Sequence, residues 1–232
     1  MMVIKHKITG LLMLLFALVS CTDWDDFKKY QAGGEIVYPG RGDTVLVASG
    51  RNRTQLLWVL SADPRVTGYK LYWNNKADSM EAAVPSDLIG DTVRIMIDPL
   101  QEGSYNFEMY SLDAKGNRSV PLRFNGRTFG ANYENGLLNR TISTASYDST
   151  LKMLQVSWNT PDTVNINTEL KYIATDSKTK SILVGPNVQE SKIPDWKPGT
   201  ILNYRSSFKP DSKAIDIFTV TRYDTMSVRK PE

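Results

Sequence analysis

The sequence predicts an all-β protein built as two tandem β-sandwiches, and three observations predict it. From Ile36 onward apolar residues alternate with polar ones in short runs, broken by Gly, Pro, Asn and Asp. Strands that recur about every 8–12 residues mark a sandwich, and no segment here holds helical periodicity for three turns. The plan also repeats: Trp58 closes one apolar run and Trp158 closes another, 100 residues later. That separation suits two domains of ordinary sandwich size.

The N-terminus comes first. Lys5 and Lys7 precede an apolar run of nine residues, Leu11–Val19. A basic start and a short apolar stretch ending in small residues read as a secretory signal peptide over residues 1–20. The run falls well short of the roughly 20 residues that span a bilayer. The segment Leu18-Val19-Ser20-Cys21 resembles the bacterial lipobox. The resemblance implies cleavage before Cys21 and acylation of that thiol, palmitate included. Two or three acyl chains then hold a protein at a membrane far more firmly than one. The next residues, Thr22-Asp23-Trp24-Asp25-Asp26, resemble the surface-export signal of Bacteroidota lipoproteins, which implies an outer-membrane protein facing the cell exterior. A solvated acidic linker is the alternative reading, and residues 21–35 are a tether in either case.

Without residues 1–20 the chain loses Lys5, Lys7 and His6 and keeps 26 Lys+Arg against 25 Asp+Glu, no histidine and one cysteine. A disulfide, a Ser-His-Asp triad, a Cys-His dyad, a His-based zinc site and a haem ligand set are thereby excluded. No cofactor and no metal are expected. The Lys and Arg residues form no long run, so nucleic acid is not an expected partner.

The first sandwich is expected over residues 36–130. Thr44–Val47 is its first strand and Leu56–Leu60 its second, with Leu56, Trp58 and Leu60 on one face. Val66–Trp73 is the third, with Tyr69, Leu71 and Trp73 on one face. Val93, Ile95 and Ile97 mark another strand, and Tyr105, Phe107 and Met109 the next. The turn Asp113–Asn117 follows, and Val120–Phe124 is the last strand. Trp58, the Val66-Thr67-Gly68-Tyr69 opening and Leu100-Gln101-Glu102-Gly103-Ser104-Tyr105 together resemble a fibronectin type III domain, an immunoglobulin-like fold. A large indole fills the gap between sheets, Gly103 permits a tight turn, and a Tyr105 hydroxyl bonded to the turn backbone locks the corner.

The second sandwich, residues 131–232, is more divergent. Leu154–Trp158 is followed by Pro161-Asp162 and Leu170-Lys171-Tyr172, without the Gly-Tyr opening. Trp196-Lys197-Pro198-Gly199-Thr200 leads into Leu202, Tyr204, Ser206 and Phe208, and Ile215–Val220 is expected to close the sheet. The joint between domains is expected near Arg127–Gly136.

Four segments, Gly34–Gly40, Gly50-Arg51-Asn52-Arg53, Tyr72-Trp73-Asn74-Asn75, and Asn203–Ser206 followed by Ile215-Asp216-Ile217-Phe218, resemble a family of Bacteroidota surface lipoproteins known as a domain of unknown function (DUF4998). The resemblance implies a non-enzymatic cell-surface lipoprotein, often near polysaccharide-uptake systems, with a glycan or an outer-membrane protein as possible partner. It supplies no functional residues to carry over.

Candidate sites read from the residues are few. Sugar CH groups stack on aromatic faces, which singles out Trp73 beside Asn74 and Asn75, with Trp196 and Trp24 as further platforms. Core packing beside Tyr69 and Leu71 is the competing role of Trp73. Tyr72 and Tyr110 are expected on the opposite face. Six Asp-Ser/Thr triplets, at Thr44, Ser79, Thr92, Ser149, Thr163 and Thr225, resemble the O-glycosylation motif of Bacteroidota exported proteins; the alternative is that Asp-Thr marks turns that begin strands. Arg41-Gly42-Asp43 reads as a turn before a strand. Three functions follow: a glycan-binding accessory module, a structural spacer of an outer-membrane complex, and, least favoured, a carboxylate glycosidase.

Overall fold

A computed structural model of the chain describes residues 37–228. Cys21, Trp24 and the expected signal peptide lie outside the described residues. The chain divides into Met1–Tyr38 and Pro39–Glu232, and both sandwiches belong to the second unit.

In the first sandwich, β1 (Thr44–Ser49), β2 (Thr54–Val59) and β5 (Thr92–Ile97) form one sheet in the order β1-β2-β5. The other sheet holds β3 (Val66–Trp73), β4 (Asp78–Ala83), β6 (Gly103–Asp113) and β7 (Leu122–Thr128) in the order β4-β3-β6-β7. All pairs are antiparallel. The alternation read from the sequence sets the faces: Leu56, Trp58, Tyr69, Leu71, Ile95 and Phe107 are buried in one core. Each such side chain contributes about 1.5–3 kcal/mol on burial, so a one-residue slip that turned a strand over would forfeit several of them. Trp58 meets Tyr69 edge to face at 5.7 Å. A Cβ on Gly42 would lie 1.9 Å from Trp58 Nε1, so only glycine lets the chain pass over the indole. Arg41-Gly42-Asp43 is therefore a lead into β1, with the Asp43 amide donating to Val59 O at 3.0 Å. The Tyr105 hydroxyl donates to Gln101 O at 2.7 Å, the corner expected from the sequence.

The second sandwich repeats the order. β8 (Ile142–Asp148), β9 (Met153–Trp158) and β12 (Glu190–Ile193) form the smaller sheet as β12-β9-β8. β10 (Asn165–Ile173), β11 (Thr179–Val184) and β13 (Ile201–Phe208) run β11-β10-β13, and the last position is divided between β14 (Phe218–Thr219) and β15 (Asp224–Ser227), both paired to β13. Leu154, Val156, Trp158, Leu170, Leu202 and Tyr204 are buried in a second core. In both sandwiches the first, second and fifth strands face the fourth, third, sixth and seventh, which is the fibronectin type III-like, immunoglobulin-like arrangement of two antiparallel sheets.

Two strand expectations are corrected, and one strand had no counterpart among them. β7 runs Leu122–Thr128 rather than Val120–Phe124, and Val120 is exposed. β4, which carries almost no apolar alternation, was invisible as a pattern. Ile215–Ile217 do not close the sheet; Asp216 is drawn instead toward Arg53 and Arg51, leaving only Phe218–Thr219 to pair with β13.

Candidate functional site

The β3–β4 hairpin turns through Asn74, Asn75 and Lys76, all with positive φ (50°, 55° and 69°). Asparagine tolerates this left-handed conformation better than other non-glycine residues, which explains the Asn-Asn pair locally. Asn74 Nδ2 donates to Asp78 Oδ2 at 2.5 Å, so its side chain serves the turn. Lys76, in contrast, is strained and is held over the outer face of the sheet. Its Nζ lies 5.8 Å from the Tyr72 ring and 5.9 Å from the Tyr110 ring and 2.7 Å from Glu108 Oε1.

Glu108 sits at the centre of that face. It accepts hydrogen bonds from Lys76 and the Tyr110 hydroxyl, and from Arg123 Nε at 3.0 Å. The Lys76 ammonium, then Tyr110, hold its carboxyl down to about 2. Tyr72 and Tyr110 pack edge to face at 6.1 Å, and Arg118 donates to the Tyr72 hydroxyl at 3.3 Å. Beside this network lies a cleft of about 680 Å³, walled by Trp73, Phe107 and Phe124 and edged by Asn75, Asn106 and Asn125. That volume is in the range of small-ligand sites. Trp73 is half-buried and packs against the first core while also lining the cleft.

The other candidates separate. Trp196 is 2% exposed, in the second core against Tyr147 at 5.5 Å. It is corrected from platform to core residue, because its indole fills the gap between the sheets and presents no face to a ligand. Thr44, Ser79, Ser149, Thr163 and Thr225 are exposed, and Thr92 is half-buried. Several of the preceding Asp side chains hold turns: Asp91 accepts from the Thr92 amide at 2.6 Å and Asp148 from those of Thr150 and Leu151. The Asp113–Asn117 segment is a strand connection, with Asp113 accepting from Asn117 N and Nδ2, each at 2.8 Å. Among the described residues no group of acidic, His or Cys side chains is arranged to hold a metal ion, and no helix is long and apolar enough to cross a membrane.

A feature missed from the sequence is the joint between the sandwiches. Arg53 donates to both oxygens of Asp216, at 3.0 and 2.6 Å. Arg51 donates to both of Glu134, at 2.6 and 2.8 Å. The Arg53 guanidinium, first, and the Arg51 amide hold the Asp216 carboxyl below its ordinary value, and Arg51 does the same for Glu134. The Ile215 amide donates to Ser49 O at 2.8 Å, and a Cβ on Gly50 would lie 2.7 Å from Asp216 Oδ2. Phe218, fully buried, stands 6.1 Å from Phe129 and 5.1 Å from Tyr133, and its ring carries the Arg51 guanidinium at 4.5 Å. Helix α1 (Ala131–Asn135) is fastened to the first sandwich by Glu102, which accepts from the Asn132 and Tyr133 amides at 2.8 Å each. The only signal in the sequence was the pair of segments Gly50–Arg53 and Ile215–Phe218, which nothing in the sequence joined.

The family model described as a domain of unknown function, DUF4998, matches residues 21–218. The chain belongs to this family. The matched span takes in the first sandwich, the joint and the second sandwich as far as Phe218. Among solved structures, the DUF4998 chain is similar to a two fibronectin type-III domain segment from chicken tenascin, with 14% identity over 81% of this chain and 99% of that one and a TM-score of 0.34. It is also similar to the FN1-FN3 domains of chicken CNTN1, with 15% identity, 84% and 70% coverage and a TM-score of 0.40. No curated protein matches the DUF4998 chain.

Proposed function

We propose that this chain is a non-enzymatic, lipid-anchored surface protein of the outer membrane that binds glycan in the cleft beside Trp73, as an accessory to glycan capture or uptake. The cleft carries the reading. It sets aromatic edges (Trp73, Phe124) beside amide side chains (Asn75, Asn106, Asn125), the pairing that suits a sugar ring's apolar face and hydroxyl rim. Among the described residues Glu108 is the one carboxylate lining it, and three partners hold it ionised, whereas a glycosidase needs two carboxylates about 5–10 Å apart. Anchoring rests on the lipobox resemblance at Cys21.

The experiment is affinity electrophoresis of the full chain through gels containing a panel of polysaccharides, repeated with Asn106→Ala/Asn125→Ala. Both asparagines are exposed, so the melting temperature should hold while retardation is lost. Failure of every polysaccharide to retard the chain removes the glycan reading. Absence of radioactive palmitate on the chain in its own host removes the anchor. The second reading, a rigid spacer or partner of an outer-membrane complex, is favoured by the joint, whose paired arginines lock one sandwich to the next. Co-purification with an outer-membrane protein in the absence of any sugar binding would select it.

A further inference from the structure

The cleft at Trp73 continues. A second cleft, of about 500 Å³, shares Asn106 and Asn125 with it and runs past Gly126 and Arg127 to Asp211 of the second sandwich. We infer that the two clefts form one groove along β7 that takes an extended acidic oligosaccharide, carboxylated or sulfated, by its internal units rather than by a chain end. The inference rests on the glycan reading above and adds the ligand's length and charge.

Arg123, Asn125 and Arg127 occupy alternate positions of β7 and are all exposed, so they point to the same face. At about 3.4 Å per residue the two arginines are set roughly 14 Å apart along the groove, a span of several sugar units with an amide between them. Arg127 offers its whole planar fork to a carboxylate or sulfate, and Arg123, whose Nε donates to Glu108 at 3.0 Å, offers its terminal amino groups. Arg127 stacks on Phe129 at 5.0 Å, which fixes its direction without neutralising it. Lys70, Lys76 and Arg118 belong to the same sheet face. Against these five cations stand three acids: Glu81 paired with Lys70, Glu108 with Lys76 and Arg123, and Asp211, which accepts from the Ser49 hydroxyl and keeps its charge. The face thus keeps an excess of cationic charge. An added peptide strand is the competing occupant, but β1 closes against β7. A Cβ on Gly126 would lie 2.9 Å from Val47 Cγ1, so β1 crowds an incoming strand at this point of β7.

The test is isothermal titration of the full chain in detergent with three series, each from monosaccharide to hexasaccharide: oligogalacturonates, chondroitin sulfate fragments and neutral cello-oligosaccharides. The expected result is binding of one or both acidic series, with affinity rising through the tetrasaccharide, levelling beyond it and weakening at high salt. The carboxylated and sulfated arms identify the anionic group. Arg123→Ala and Arg127→Ala should each weaken binding about tenfold, the scale of one charge-assisted hydrogen bond, with unchanged melting. Equal affinity for the neutral series, or for monosaccharide and tetrasaccharide, overturns this inference and leaves the glycan reading standing. No binding in any series overturns this inference, and the glycan reading falls with it when the polysaccharide gels also fail to retard the chain.

Discussion

Replacing Phe218 by alanine should uncouple the two sandwiches. Phe218 lies in β14 of the second sandwich, yet its ring is enclosed by Phe129, Tyr133 and the Arg51 guanidinium. It is fully buried but outside both hydrophobic core clusters, so its packing energy belongs to the joint. Truncating a buried phenylalanine costs about 3–5 kcal/mol. In domains of this size each 1 kcal/mol moves the midpoint by about 4–8 °C. Scanning calorimetry of the wild-type chain should give one transition for the coupled pair. The Phe218→Ala chain should give two, the first about 10 °C or more below the wild-type midpoint, with greater interdomain spread in solution scattering. Ile217→Ala, one residue away at a side chain 54% exposed, serves as control and should shift the midpoint little. A single transition at the wild-type midpoint in Phe218→Ala would refute the claim that this ring couples the sandwiches.

Three further outcomes are expected. Because the folded-state value of Glu108 is depressed to about 2, its contribution to stability is complete above the unfolded value of about 4.3 and is lost as pH falls toward 2; denaturant midpoints measured across that window should decline, and less steeply in Glu108→Gln. Tyr105→Phe removes the hydroxyl that donates to Gln101 O and should cost about 0.5–1.5 kcal/mol in urea unfolding, whereas no loss would mean the corner holds without it. Intact-mass measurement of protein from its native host should show glycan mass on at least one of Thr44, Ser79, Thr92, Ser149, Thr163 and Thr225, and a lipid-corrected mass equal to the bare polypeptide would leave these triplets as turn markers only.

Much of the architecture was legible because strand faces follow a period of two, a property of neighbouring residues. Tyr69, Leu71 and Trp73 were read on one face and lie there; the corner at Tyr105 needed only a six-residue segment. β4 was not legible, since Asp78–Ala83 is almost wholly exposed and an edge strand without an apolar face leaves no periodic trace. Trp196 looked like a platform because an aromatic residue near a turn carries the same letters whether it points in or out. The cleft was legible only in part. Trp73 and Asn75 could be nominated, but Asn106 and Glu108 come from β6, which pairs with β3, and Arg123 and Asn125 from β7, which pairs with β6, so they come together only after the sheet forms.

What the sequence determined by itself, then, was the succession of strands, their buried faces and the repetition of one plan, because each depends on side-chain spacing along a short stretch of chain. Tertiary structure alone decided the joint and the groove. Arg53 and Asp216 are 163 residues apart, and nothing local says which of 25 acidic residues an arginine will meet. That choice is made by geometry, when two packed sandwiches bring one loop of each to the same place and bury an aromatic ring beneath the ion pairs.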